Sequence, residues 1–300
     1  RKDPRVRSIS YDWPMQVQLD ESAEYIGAPN QWSKLTAEGN QLNGEGVVIA
    51  IIDTGVDYTH PDLGGCFGPS CKVIGGWDYV NNDGDPMDDH GHGKHVAATA
   101  AGNGQLMGIA PNAKILAYKT LSASGSGLTS YTALAIEDAV AKGADIISMS
   151  LGSPAGSSLG VSGIASEDAV DAGVVVISSA GNSGPSANTV SSPANAPSGI
   201  AVAAGCEPHP ASQLCPQTSP LALFSSRGPT FVDGVDVQKP DITAPGVSIC
   251  AARLEDYGSQ ACEDGNHVRL SGTSMAGPHI AGAAALLVQA LPSASPEEIK

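Results

Sequence analysis

The sequence has few aromatic residues and few cationic side chains. Phe, Trp and Tyr make up 4% of the 300 residues, and 15 Lys and Arg oppose 31 Asp and Glu, which gives a formal net charge of −16. So negative a surface repels nucleic acid and anionic lipid, and we expect neither as a partner. Long apolar runs are also lacking, because the best candidate, residues 280–291, is too short and too rich in Ala and Gly to span a membrane.

The cysteine patterns of metal clusters are absent as well. The six cysteines form no C-x-x-C, and no histidine stands beside them at zinc-ligand spacing. They occur as three close pairs: Cys66 with Cys71, Cys206 with Cys215, and Cys250 with Cys262. Such pairs favour small loop-closing disulfides and an oxidising compartment. Other pairings are equally allowed by the number of cysteines, and six reduced buried thiols are the alternative.

Glycine is abundant, with 36 residues, and the chain is long enough to bury one sizeable core. Near-continuous apolar runs predict buried strands at 47–53, 114–120, 145–150 and 174–180. Helical patterns follow at 93–102, 130–142 and 160–171, and an Ala-rich, almost wholly apolar helix is predicted at 273–290. This alternation predicts an α/β fold, a parallel β-sheet flanked by helices on both faces, with ligands bound at the carboxyl ends of the strands.

The remaining segments carry weaker patterns. Residues 225–243 are predicted as loop and turn. Residues 1–20 are polar and irregular, and we expect them to be an N-terminal extension; because the chain starts with Arg1, we expect it to have been processed. At the other end, Ser295 followed by Pro and two Glu begins a helix, so we expect the natural protein to continue beyond Lys300.

Four polar side chains lie near predicted strand ends or helix starts. Asp53 ends the first strand, His92 opens a helical pattern between two glycines, Asn182 follows a strand, and Ser274 stands where a loop enters a helix. Each has an ordinary alternative: a turn aspartate, a histidine that binds a metal or does nothing, a turn asparagine, a helix cap. Together they are what acyl transfer to serine requires. Their order along the chain, Asp then His then Ser, is found in subtilisin and not in chymotrypsin or the α/β-hydrolases.

The segments around these residues resemble the subtilisin-like serine protease family. The matches are residues 52–57, 91–96, 180–182 and 272–279, supported by 224–229 and 242–246. The resemblance runs from residue 21 to residue 300. Within the family, the sequence is most similar in its details to the larger secreted bacterial and fungal members. It implies a subtilisin-like three-layer α/β/α fold for a catalytic domain at 21–300, truncated at its C-terminus. It also implies a secreted, extracellular serine endopeptidase of broad specificity that acts on polypeptides, and we expect a monomer.

The same resemblance implies a role for each polar side chain. Ser274 would be the nucleophile, His92 the general base and acid, Asp53 the residue that orients the imidazole, and Asn182 an oxyanion donor. Substrate would pair as an added strand with two edges and fill a pocket between them. These substrate-binding residues are Ser124, Gly125, Ser126, Gly127, Ser150, Leu151, Gly152, Ala180 and Gly181. The small residues would shape a roomy pocket, which predicts an apolar or aromatic side chain before the cut; they are Ser150, Gly152, Ala180 and Gly181. For the two edges, ordinary Gly/Ser loops are the alternative.

The resemblance extends to a cation site and a prosegment. Residues 81–89 crowd oxygen ligands around a glycine like a calcium loop, with Asp83, Asp85 and Asp88 as expected Ca2+ ligands; a solvated acidic turn is the alternative. The family's strongest calcium site would use Asp62, but the loop at 103–107 that should complete it is short. Residues 6–19 resemble the tail of an inhibitory prosegment.

Lys94 departs from the family pattern, which usually has Thr at this position. A cation there would lower the pKa of His92 by disfavouring the imidazolium, unless the lysine points to water.

Three other functions are the alternatives to a protease. An inactive relative would keep the fold and use it for binding. An esterase or lipase would need Gly-x-Ser-x-Gly, whereas Ser274 is followed by Met275 and Ala276. A dinucleotide-binding enzyme would need a glycine-rich turn after the first strand, where Asp53 stands.

Overall fold

The computed structural model describes residues 20–154, 159–254, 261–262 and 264–300. The predicted N-terminal extension and the prosegment-like segment at 6–19 therefore lie outside the described residues, except for Asp20. None of the described helices is both long enough and apolar enough to traverse a lipid bilayer.

A seven-stranded parallel sheet forms the centre of the chain. In spatial order its strands are β2 (Val73–Asp78), β3 (Lys114–Lys119), β1 (Val48–Asp53), β4 (Ile146–Met149), β5 (Val175–Ser179), β6 (Ile200–Gly205) and β9 (Ile242–Pro245). The four predicted strands are β1, β3, β4 and β5, with small differences at their ends. β2 and β6 were missed, because one contains a Gly-Gly pair and the other is rich in Ala.

Helices cover both faces of the sheet, as the α/β prediction required. On one face, α3 (His92–Ala101) and α6 (Thr273–Ala290) pack against strand residues that include Ile49 and Ile51. On the other, α4 (Thr129–Ala141) and α5 (Gly160–Asp171) pack against the alternate residues, Ala50 and Ile52. Successive side chains point to opposite faces of a strand, so this apolar run fills two cores.

The smaller elements lie around this three-layer centre. They are the helices α1 (Asp20–Tyr25), α2 (Pro29–Trp32) and α7 (Pro296–Ile299), a 3-10 turn at Pro61–Leu63, and an antiparallel sheet of β10 (Ile249–Ala252), β12 (Asp264–Leu270) and β11 (Ala261–Cys262). Ser295 caps α7 through a capping box with Glu298, as its sequence predicts. Each cysteine is bonded to its close neighbour: Cys66 to Cys71, Cys206 to Cys215, and Cys250 to Cys262.

The prediction of loop at 225–243 was wrong in part. β7 (Thr230–Val232) and β8 (Val235–Val237) form a hairpin, and β9 begins within the same segment. Asp233 and Gly234, both at positive φ, make the tight turn. An Asp-Gly pair between alternating apolar residues is a hairpin signal, so the sequence contained the information.

Candidate active site

Asp53 and His92 meet at the carboxyl end of the central strand. Asp53 is the last residue of β1 and is fully buried, and His92 is the first residue of α3. The Nδ1 atom of His92 lies 2.7 Å from Oδ1 of Asp53. Burial lowers the pKa of His92, but the charge and hydrogen bond of Asp53, together with the charge of Asp88, outweigh burial and raise it overall. The pair therefore holds an imidazole that gains a proton more readily than a free one.

The start of α3 is held in place by Asp88 and Thr54. Oδ1 of Asp88 accepts hydrogen bonds from the backbone N–H groups of His90 and Gly91 and from the Thr54 hydroxyl, and Oδ2 accepts from the Lys94 N–H, at 2.8–2.9 Å. Thr54 Oγ1 in turn accepts from the N–H of Gly93 at 2.9 Å. These contacts satisfy amide donors that a helix start leaves unpaired. They connect the end of β1 to the helix that bears His92.

The hydrogen bonds of Asp88 give no support to its predicted role as a calcium ligand. Asp83 accepts from the backbone N–H of Asp85, and Asp85 accepts from the Tyr58 hydroxyl, so each has a partner within the protein. Among the described residues, no group of three or more acidic, His or Cys side chains is arranged to hold a metal. This donor set gives no support to a calcium site at residues 81–89, which remains a prediction.

Asp62 is also engaged within the protein. It is fully buried, its Oδ1 accepts from the N–H of Gln105 at 2.7 Å, and its Oδ2 lies 2.8 Å from Nε2 of His267. Nδ1 of His267 lies 2.7 Å from Asp264. An imidazole between two carboxylates thus occupies the place where the family resemblance implies a cation.

Lys94 neither points to water nor leaves His92 with a lowered pKa. Its side chain is buried, forms an ion pair with Asp57 and donates to the carbonyl of Arg253 at 2.9 Å. The pKa of His92 is raised, not lowered, because the nearby charges that act on it are carboxylates.

Ser274 is the second residue of α6, and two reciprocal hydrogen bonds connect it to Ser150. The Ser274 hydroxyl donates to the Ser150 carbonyl at 3.2 Å, and the Ser150 hydroxyl donates to the Ser274 carbonyl at 2.8 Å. The second bond has a clear cause. Pro278, four residues after Ser274 in the helix, has no N–H to donate to that carbonyl, so the Ser150 hydroxyl takes its place.

Asn182 is oriented by Thr273, the residue before Ser274. Its Oδ1 accepts from both the N–H and the hydroxyl of Thr273, at 2.9 and 3.0 Å, and the Thr273 hydroxyl accepts from the N–H of Gly181. With its oxygen engaged, the side chain presents its NH2 group as the donor for a ligand.

These side chains share one cleft of about 880 Å³. Of the predicted residues, His92, Ser274, Asn182, Ser124, Gly125, Ser126, Gly127, Ser150, Leu151, Gly152 and Gly181 line it. Asp53 lies buried behind His92, and Ala180 is fully buried and does not line the cleft. In the part of the chain that the structure describes, no Asp, Glu, Lys or Arg lines the cleft, so its walls are uncharged apart from histidine.

Sequence reasoning missed several lining residues. His90, Leu128, Ser191 and Ser192 also line the cleft, and the His90 ring lies beside Gly125. His90 belongs to the same histidine cluster as His92, and Leu128 directly follows the Gly-Ser-Gly edge, so both lay beside recognised motifs. Ser191 and Ser192 have no such signal, because only the fold brings them to the cleft.

Comparison with known proteins identifies the family of this chain. The model of the subtilase family matches residues 44–300. Serine protease AprX of Bacillus subtilis is 35% identical over 319 residues, covering 98% of this chain and 68% of that protein. Subtilisin DY of Bacillus licheniformis is 37% identical over 276 residues, covering 89% and 85%. The solved structure of sphericase superimposes with a TM-score of 0.69 at 33% identity, covering 91% of this chain and 86% of that chain.

The motifs, the strand-end site, the three-layer fold and these matches agree with one another. The chain therefore belongs to the subtilase family and is a serine endopeptidase.

Proposed function

We propose that this chain is a secreted endopeptidase of broad specificity that cleaves polypeptides through Asp53, His92 and Ser274. The observation that carries the proposal is the 2.7 Å contact between Asp53 and Nδ1 of His92, at a cleft that Ser274 and Asn182 also line. A carboxylate at Nδ1 keeps the other ring nitrogen available as a base.

The reaction then follows from the positions of these groups. The Ser274 hydroxyl turns from the Ser150 carbonyl to His92, gives up its proton to Nε2, and its oxygen bonds to the substrate carbonyl carbon. The carbonyl oxygen becomes an oxyanion, stabilised by the NH2 group of Asn182, the Ser274 N–H and the start of α6. The imidazolium returns the proton to the amine as the C–N bond breaks. Water repeats these steps on the acyl-enzyme and releases the acid.

The cleft walls favour recognition of main chain over side chain. Ser124–Gly127 and Ser150–Gly152 offer backbone groups with which a substrate strand can pair. Gly152 leaves no room for a side chain, since an added Cβ would lie 2.5 Å from Ser191 Oγ. Uncharged walls built largely of small residues suit an apolar or aromatic residue before the cut.

Secretion is supported by the three disulfides, which persist in oxidising compartments. A relative named minor extracellular protease Vpr, from Bacillus subtilis, is 42% identical over 206 residues, covering 66% of this chain and 24% of that protein. The monomeric state and an inhibitory prosegment stay predictions.

Labelling with a fluorophosphonate tests the proposal. This probe reacts only with an activated serine, so we expect one adduct, mapped to Ser274, and loss of casein hydrolysis in proportion to labelling. Ser274→Ala, with its fold verified by circular dichroism, should neither label nor hydrolyse. Hydrolysis by that variant at the wild-type rate, or an unlabelled wild type that binds peptides without cutting them, would refute the proposal.

A further inference from the structure

Lys119 is a buried cation at the active end of the sheet. It is the last residue of β3, pairs in register with Asp53 of β1, and its side chain is 1% exposed. Burying an ammonium group is costly unless each of its donors has an acceptor. A lysine buried at this position is therefore expected to have an acceptor for each of its three N–H donors.

The Lys119 ammonium has three acceptors, and each lies on a different segment of the site. It donates to the carbonyl of Thr54 at 2.9 Å, to the carbonyl of Leu121 at 3.0 Å and to the Asp89 carboxylate. Thr54 directly follows Asp53, and Asp89 lies in the turn that leads to His92. Leu121 is the first residue of the loop 121–127, which carries the substrate-binding edge and is closed by a bridge between Leu121 and Gly127. An ammonium group has three N–H donors, so all are used.

The loop 121–127 has few other attachments to the triad. The N–H of Leu121 donates to the Asp53 carbonyl at 3.2 Å, and the next bonds lie within the loop, from Ser122 to Ser126 and from Gly125 to Ser122. The edge residues Ser124–Gly127 are exposed. The path of the loop that carries the edge is therefore set at Leu121, whose carbonyl accepts a hydrogen bond from Lys119.

We propose that Lys119 is a positioning residue that fixes the substrate-binding edge relative to Asp53 and His92. The inference rests on the proposed function, because it takes this edge as the place where the substrate backbone pairs. A substrate that lies along the edge depends on this alignment. A small substrate that reaches only Ser274 and the primary pocket depends on it much less.

Lys119→Met tests the inference, because Met keeps the apolar stem and removes the three donors. We compare kcat/KM, per active site titrated with a fluorophosphonate, for a peptide with several residues before the cut and for an ester of a single amino acid. Misplacing a substrate by about 1 Å costs roughly 100-fold, so we expect a loss of that order for the peptide, mainly through KM. The ester should lose far less.

Lys239→Met is the matched control. The Lys239 side chain is also 1% exposed and also bonds to a backbone carbonyl and a carboxylate, those of Gly199 and Asp241, at 2.6 and 2.7 Å. It precedes β9, at the amino ends of the parallel strands and away from the cleft. The Lys239→Met substitution should lower the melting temperature about as much as Lys119→Met does. It should leave kcat/KM unchanged for both the peptide and the ester.

Amide hydrogen exchange provides a readout that does not depend on activity. In Lys119→Met the amides of Ser122 and Gly125 should exchange faster than in the wild type, and in Lys239→Met at the wild-type rate. Equal losses for peptide and ester, or unchanged exchange in the loop, would overturn the inference. A wild type that hydrolyses no peptide would instead refute the proposed function, while the exchange experiment would still report on Lys119.

Discussion

Replacing Ser150 by Ala should destabilise the fold by leaving the Ser274 carbonyl without its hydrogen-bond donor. The Ser150 hydroxyl donates at 2.8 Å to the Ser274 carbonyl, which Pro278 leaves without its helical donor. Ser150 is buried and Ser274 partly exposed. An unsatisfied acceptor costs about 1–3 kcal/mol, and partial exposure favours the lower end of this range. We therefore expect Ser150→Ala to lose about 1–2 kcal/mol of unfolding free energy.

A second substitution isolates this bond from other effects. Pro278→Ala restores a backbone N–H that can donate to the Ser274 carbonyl, although it also leaves a small cavity in the core. Measured by chemical denaturation, Ser150→Ala should therefore cost less in the Pro278→Ala background than in the wild type. The expected coupling is about 1 kcal/mol. Additive effects of the two substitutions would refute the reasoning, because they would mean that the hydroxyl does not replace the missing donor.

Three further predictions concern charge and the oxyanion. Asp88→Asn removes a charge that raises the pKa of His92. The pH at which kcat/KM falls on the acidic side, because His92 becomes protonated, should therefore be lower in this variant than in the wild type. An unchanged acidic limb would contradict this. Asn182→Ala should lower kcat by roughly 100- to 1,000-fold with KM little changed. This magnitude is that of the loss of one such donor in a subtilisin and is not calculated from this structure. A tenfold or smaller loss would show that Asn182 does not stabilise the oxyanion. For His267, burial lowers the pKa but its two flanking carboxylates raise it overall, above the ordinary 6.5. Its contribution to stability should therefore be complete below that value and vanish as pH rises through the raised pKa. The difference in melting temperature between wild type and His267→Gln should shrink as pH rises through the raised pKa. A difference that grows with pH would refute the assignment.

The local pattern of residues determined the central architecture. Runs such as 47–53 are apolar on both sides of the strand, which happens only where a sheet is covered on both faces, and so they predicted the parallel sheet and its two helical layers. The motifs around Asp53, His92 and Ser274 predicted the chemistry, since their residue types and order are specific. β2 and β6 escaped prediction because glycine and alanine carry little periodic signal, and pairing with neighbouring strands decides their conformation.

The roles of the charged residues around the site were decided only by the tertiary structure. A carboxylate in a sequence has the same chemistry whether it binds a metal, caps a helix or pairs with a histidine. Asp88 holds the start of α3 because it accepts hydrogen bonds from four donors. Asp62 is hydrogen-bonded to His267, which lies more than two hundred positions away in the sequence. Lys119 acquired its three partners in the same way. Sequence by itself determined which groups are present and on which elements they stand; folding determined their partners, because hydrogen bonds depend on distances that a linear pattern does not contain.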